Sequence, residues 1–294
     1  MRGIGCAALL TLSVLAVTPA VRAQRQPPPA VEQTLDRISA HVAEYYSRAQ
    51  SLVAREEVVE QPIRRDRSSD GISRQITYAI RFEWEPPLAG EAPAARMVRE
   101  VTAIGGRAPR PKDRNRCEEP VAIQPEPLAM FLEGERESFE FKAAGVDRLD
   151  GVPVVRLDFR ERPEQPRMTA KLELVKVGKE DCLITSTSGF PRGRVWVDAE
   201  SGEVLRLDRY FIGPVEFELT DRERRELGVR EPALDRWEET IRYRRVRFSD
   251  PEESLVLPHS IDIITLYRGG LVSTRRSQRF TEFRRFLAGG RIVE

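Results

Sequence analysis

The chain has 294 residues, of which 40% are hydrophobic and 32% charged, with 48 Lys and Arg against 47 Asp and Glu. Both signs are interspersed and nearly cancel, which excludes the one-sided basic field of a nonspecific nucleic-acid binder, so no nucleic-acid partner is expected. The length admits one β-rich domain or two smaller units.

Arg2 precedes an apolar run from Ile4 to Val17, and Val21-Arg22-Ala23 offers a cleavage site. This pattern predicts a signal peptide over residues 1–23, cleavage near Ala23, and a periplasmic or secreted mature protein starting at Gln24. The run is shorter than the roughly 20 residues that span a bilayer, and no second long apolar run follows, so the protein is not expected to be transmembrane. Cys6 lies ahead of the apolar core, the wrong order for a lipid-attachment cysteine. An oxidising compartment would permit the two remaining cysteines, Cys117 and Cys182, to pair. A bridge needs Cα atoms within about 7 Å, which spacing does not show, so a disulfide and two lone thiols both stay open.

Gln24–Ala30 (QRQPPPA) is a proline-rich leader that does not pack. Val31, Leu35, Ile38, Val42, Tyr45, Ala49 and Leu52 then recur at spacings of three and four, predicting one amphipathic helix over Val31–Leu52. Period two follows. Ile76, Tyr78, Ile80, Phe82 and Trp84 form one face of a strand closed by Pro86-Pro87, with Arg96–Ile104 as its partner. Residues 107–124, rich in Pro and charge, read as a loop carrying Cys117, and a short helix is expected over Leu128–Glu133.

A hairpin turns at Asp150-Gly151, and Ala170–Val177 reads as a strand. RVWVDAESGEVLRLDRY then places Val195 and Val197 on one face, with Trp196 and Asp198 on the other, and reverses over Ala199–Glu203. Val215–Leu219 continues the pattern, and Asp221–Leu227 is a helical turn or a charged loop. Thr240–Phe248 alternates with arginines, and Ile261–Tyr267 turns at Gly269-Gly270 into Leu271–Phe280. About ten strands behind one helix predict a mainly β fold, a large curved antiparallel sheet or half-barrel with the helix packed on it. Residues 31–294 are read as a single domain. A β-sandwich with the helix outside is the rival, and no βαβ alternation supports a doubly wound nucleotide fold.

Two histidines, His41 and His259, are too few for a zinc motif, and HExxH, CxxC, EF-hand, P-loop and dinucleotide patterns are all missing from the mature chain, so neither metal nor cofactor is expected. Ser186 or Ser188, in the Ser/Thr-rich stretch Leu183–Phe190 that reads as a loop, with His259 and Asp262 would supply nucleophile, base and orienting acid, but no G-x-S-x-G elbow supports them. The acid pairs Glu118-Glu119 and Glu252-Glu253 read as solvated loop charges. The chain is therefore expected not to be an enzyme.

One helix covers only part of one face of so large a sheet, which leaves an apolar cleft. Its candidate ligand-binding residues are Leu35, Ile38 and Val42 on the helix and Tyr78, Phe82, Trp84 and Trp196 on strands, although strand alternation also places aromatics in a core. The expected ligand is a lipid or a lipoprotein's acyl chains. The alternative is a scaffold that docks an envelope protein through Arg242, Arg244, Phe248 and the strand Arg275–Arg285, whose arginines also read as a solvated face.

The signal segment, the helix, the long alternating strands, the W-V-D-x-x-S-G-E-V hairpin and the L-P-x-S-I strand together resemble the periplasmic lipoprotein-sorting carrier (LolA/LolB-like) superfamily. That resemblance implies a half-barrel with helices plugging its concave face, and acyl-chain carriage without catalysis. The tail from Thr240, with LPHSIDI, RSQRFTEFRRF and GGRIVE, is similar to a group of uncharacterised secreted bacterial proteins. The chain is longer than the sorting carriers and carries the 107–124 insertion, so no ligand residues are carried over from them.

Overall fold

The computed structural model describes residues 30–48, 52–85, 94–110, 127–162, 169–177, 180–188, 192–249 and 252–285, with the backbone alone at 83–85, 94–97, 173–177, 180–188 and 212. The run of period 3.6 becomes α1 (Val31–Arg48), and the first strands are β1 (Leu52–Ile63), β2 (Arg74–Glu85) and β3 (Ala94–Ile104). A 3-10 turn (Pro127–Phe131) and α2 (Glu133–Arg136) lead into β4 (Phe139–Leu149), β5 (Val152–Glu161), β6 (Thr169–Val177) and β7 (Glu180–Ser188). The remainder is β8 (Arg192–Asp198), β9 (Val204–Glu216), α3 (Asp221–Leu227), β10 (Ala233–Ser249), β11 (Glu252–Arg268) and β12 (Ser273–Arg285).

Ten strands form one open antiparallel sheet in the order β3-β2-β1-β12-β11-β10-β9-β8-β5-β4. A meander from β8 to β12 returns the chain to β1, so that Glu56 faces Phe280 and Val58 faces Gln278. β6 and β7 form a separate hairpin between β5 and β8, tied to the sheet by a parallel bridge from Ala170 to Phe217. The tight turn expected at Asp150-Gly151 is present, with φ of 49° and 86°, the left-handed pair a two-residue hairpin requires. Among the described residues no helix is long and apolar enough to cross a membrane.

Alternation gives the sheet two unequal faces. Leu52, Ala54, Glu56 and Val58 are buried, while Val53, Arg55 and Glu57 are not. Register carries the first set across as an inner face through Ile80, Tyr78 and Ile76 on β2, Phe280 on β12, Ile241 on β10, Leu207 on β9, Val195 on β8 and Leu157 on β5.

α1 lies on that face. Its 18 residues span about 27 Å at 1.5 Å each, close to the roughly 24 Å of five strand spacings. Asp36 accepts from Arg136 beside β4, Arg37 Nη1 donates to Ala199 O in the β8–β9 turn, and Arg48 meets Glu253 on β11. The helix therefore crosses the strands from β4 to β11, burying Leu35, Ile38, Val42, Tyr45 and Tyr46. The sandwich with an outside helix is ruled out, because Leu35 and Ile38 share one core with Val155, Leu157, Val195 and Leu207 of the sheet.

Three readings of the sequence need correction. The helix stops at Arg48, and Leu52 instead opens β1, a strand the helical spacing concealed. The stretch ending in Thr185-Ser186-Thr187-Ser188, read as a loop, is β7, as suits β-branched threonines. β10 and β11 each run 17 residues, well beyond the segments expected.

Candidate binding face

The inner face holds three apolar clusters. One lies beneath α1 and the Pro127–Phe131 turn, which buries Leu128, Met130 and Phe131. The second gathers Ala54, Val58, Ile76, Tyr78, Ile80 and Phe280 from β1, β2 and β12. The third joins Ala170 and Leu172 of the hairpin to Phe217, Leu219, Val229 and Leu234. Phe82, Ile261 and Phe283 are half-buried and touch both the first and second clusters, so the apolar surface continues past the end of the helix.

At the other end of α1 a crevice of about 460 Å³ opens between helix and sheet, with Leu35, Phe139 and Phe141 in its wall and Glu32, Arg136, Lys142 and Arg162 around it. Phe139 and Phe141 stack further with Phe159 and Phe131, at centroid separations of 5.7 to 6.4 Å. This crevice is lined mostly by charged side chains, and the apolar surface continues past the helix only at its other end.

Among the described ion pairs of this face, two have a buried carboxylate. Glu56 on β1 is fully buried, and Arg99 on β3 donates to it through Nε (2.7 Å) and Nη2 (3.0 Å), while Gln278 Nε2 donates at 2.8 Å. The Arg99 guanidinium also lies 5.8 Å from the centre of the Tyr78 ring, and burial first, with the Glu56 charge adding to it, pushes the Tyr78 phenol up. On β9 and β10, Arg209 Nε donates to Glu239 at 2.6 Å, both side chains are buried, and the guanidinium stands 5.5 Å from the Trp237 ring. A buried charge needs such partners, because desolvation of an isolated ion costs several kcal/mol. No sequence pattern marked either pair: the partners are 43 and 30 residues apart, and only register joins them.

Of the residues singled out for the cleft, Leu35, Ile38, Val42 and Tyr78 are buried on the inner face and Phe82 is half-buried there. The structure does not bring Trp196 to them: it stands on the outer face, with the guanidiniums of Arg206 and Arg194 at 4.5 and 6.0 Å from its ring. The Trp84 and Cys182 side chains, and the whole of Cys117 and Glu118-Glu119, lie outside the described residues.

Ser186 and Ser188 belong to the β6–β7 hairpin, with side chains outside the described residues, and His259 and Asp262 belong to β11, where Asp262 accepts from Arg242 and Ser277 and His259 Nδ1 has no hydrogen-bond partner among the described residues. Glu253 is engaged by Arg48 and Arg285. Phe248, proposed for docking, is buried in the core under α1. Many arginines are consumed by cross-strand pairs such as Arg194–Asp158, Arg160–Glu140 and Arg245–Glu203, as a solvated face requires.

No protein-family model and no curated protein matches the chain. Among solved structures it is similar to a domain named for outer membrane lipoprotein sorting from Vibrio parahaemolyticus, at 11% identity and a TM-score of 0.42, over 88% of this chain and 95% of that one. It is also similar to a DUF1329 family protein from Desulfovibrio piger, at 7% identity and TM-score 0.41 over 90% and 95% of the two chains. A LolA superfamily protein from Nitrosomonas europaea shares 10% identity at TM-score 0.32, over 90% and 96%. The class that the chain's own architecture defines is an open antiparallel sheet bearing a helix across one face, and at these TM-scores the likenesses add no family assignment to it.

Proposed function

We propose that the protein is an exported, non-catalytic carrier that binds a lipid or an acylated ligand on the inner face of its sheet, beside α1. One observation carries the reading: α1 ends at β11, while the apolar face runs on through the half-buried Phe82, Ile261 and Phe283. Burying an acyl chain there is worth roughly 0.8 kcal/mol per CH₂, so a chain of about ten carbons binds without a charged anchor once ordering costs are met. In this reading residues 1–23 are removed on export to the periplasm, residues 31–294 act as one unit, Phe82 walls the site, and Leu35, Ile38, Val42 and Tyr78 form the packed core behind it.

Native mass spectrometry of the protein purified from the cell envelope, followed by organic extraction, tests the proposal. Stoichiometric lipid is the expected result, and a ligand-free protein that also refuses added fatty acid overturns it. N-terminal sequencing of the exported product is expected to begin at Gln24.

A further inference from the structure

The outer face of the sheet is laced with paired charges. Arg194 lies on Asp158, Arg206 on Asp208, Arg55 on Glu57 and Arg242 on Asp262, all within 3.0 Å. The lacing is interrupted where β11 is irregular. A register shift between Arg242 and Tyr243 leaves His259 as an extra residue of β11, since Arg242 faces Ser260 and Tyr243 faces Pro258. Bulges of this kind re-aim a side chain. Arg242 and Arg244 adjoin the bulge from β10, and Arg279, which faces Ser260, adjoins it from β12.

Arg244 and Arg279 are exposed and form no ion pair among the described residues. Glu57, opposite Arg279 in register, already meets Arg55 at 3.0 Å. His259 brings no balancing charge: burial, then Arg244, Arg279 and Arg242, hold its pKa below the usual value, and its buried Nδ1 has no hydrogen-bond partner among the described residues. Two guanidinium groups thus remain without a carboxylate among the described residues, on either side of one imidazole.

We propose that Arg244, Arg279 and His259 form a binding site for a phosphate-type oxyanion on the outer face. Guanidinium donors match the geometry of phosphate oxygens, and two of them from flanking strands would grip one such group from both sides. The site is separate from the inner face and does not depend on the lipid-carrier reading. The phosphate group has two chemical sources, a soluble phosphate ester or a phospholipid headgroup.

The full mature chain is titrated with inorganic phosphate at about physiological ionic strength, where diffuse attraction beyond about 8 Å is screened, while the His259 ring resonances are followed by NMR. In parallel it is floated with vesicles of phosphatidylcholine alone and with phosphatidylglycerol added. Saturable phosphate binding that weakens at least about tenfold in R244Q/R279Q, and not in R194Q, is the expected result, since each lost charge-assisted hydrogen bond accounts for roughly that factor. Flotation that needs phosphatidylglycerol and is lost in the same double variant assigns the group to a headgroup, and phosphate binding without flotation assigns it to a soluble ester. No saturable binding in either arm, or equal weakening by R194Q, overturns the proposal. Circular dichroism confirms folding of the variants, and lipid recovery by native mass spectrometry, unchanged in R244Q/R279Q, keeps this test apart from that of the inner face.

Discussion

Arg99 reaches from β3 across the intervening β2 to hold Glu56 on β1, two parallel hydrogen bonds of 2.7 and 3.0 Å joining a guanidinium to a carboxylate that has no solvent exposure. Three strands are pinned in register by one fork of donors, and Gln278 adds β12 as a fourth. Removing one partner leaves the other charged and buried, which typically costs about 3–5 kcal/mol. Arg99→Met and Glu56→Leu are each expected to destabilise the protein by that order in urea unfolding. The double variant should recover much of the loss, because an apolar pair of similar volume relieves both charges of desolvation. Simple additivity of the two single losses would mean that the pair does not act as a unit.

The glycine at 193 makes a sharper steric test. A Cβ built there would stand 2.1 Å from Asp208 O and 2.4 Å from Phe159 Cζ, so backbone and ring would both have to move. Gly193→Ala is expected to cost about 1–3 kcal/mol or more, the usual scale of overpacking. Gly134, where a Cβ meets nothing within 4 Å, is the control. Its alanine variant should unfold at the wild-type urea midpoint or slightly above.

How much of this was legible in the sequence follows from the range of the interactions. Strand alternation at Ile76–Phe82, the Asp150-Gly151 turn and the Ala199–Glu203 reversal are local, and each was readable from a few neighbouring residues. The end of α1 was not, because Ala49 and Leu52 continue the helical spacing while Leu52 answers to a partner on β2, Phe82. Trp196 was readable as opposite to Val195 and Val197, but its exclusion from the cleft followed only once the buried face of β8 was known. The Glu56–Arg99 and Arg209–Glu239 pairs depend on cross-strand register, which no single strand encodes.

Acid should weaken the fold through α1. Burial holds the pKa of His41 below its ordinary 6.5, against the opposing pull of Glu203 and Glu44. The folded state therefore binds fewer protons than the unfolded chain as pH falls through 6.5, and stability rises with pH in that window and is lost on acidification until the folded pKa is passed. His259, lowered in the same direction, adds to the slope. Unfolding free energies at about pH 7.5 and 5.5, which bracket the ordinary imidazole value, are expected to fall for the wild type and to fall less for His41→Gln. An identical slope in that variant would remove the histidine from the account.

Ile261 is the residue that most directly tests the binding face. It is half-buried on β11, opposite Ile241 and Gln278, and touches both the cluster beneath α1 and the cluster of β1 and β2, which makes it the bridge over which the apolar surface leaves the helix. A carboxylate there would have to be desolvated by any acyl chain lying across it, an unpaired charge against hydrocarbon, whereas the same change at Val272, 64% exposed in the β11–β12 turn, meets only water. Ile261→Asp is expected to lose the lipid recovered by organic extraction, and Val272→Asp to keep it, with circular dichroism showing both folded. If Ile261→Asp folds and still carries stoichiometric lipid, the ligand does not use the path between the two clusters, and the crevice at Leu35, Phe139 and Phe141 becomes the place to substitute next.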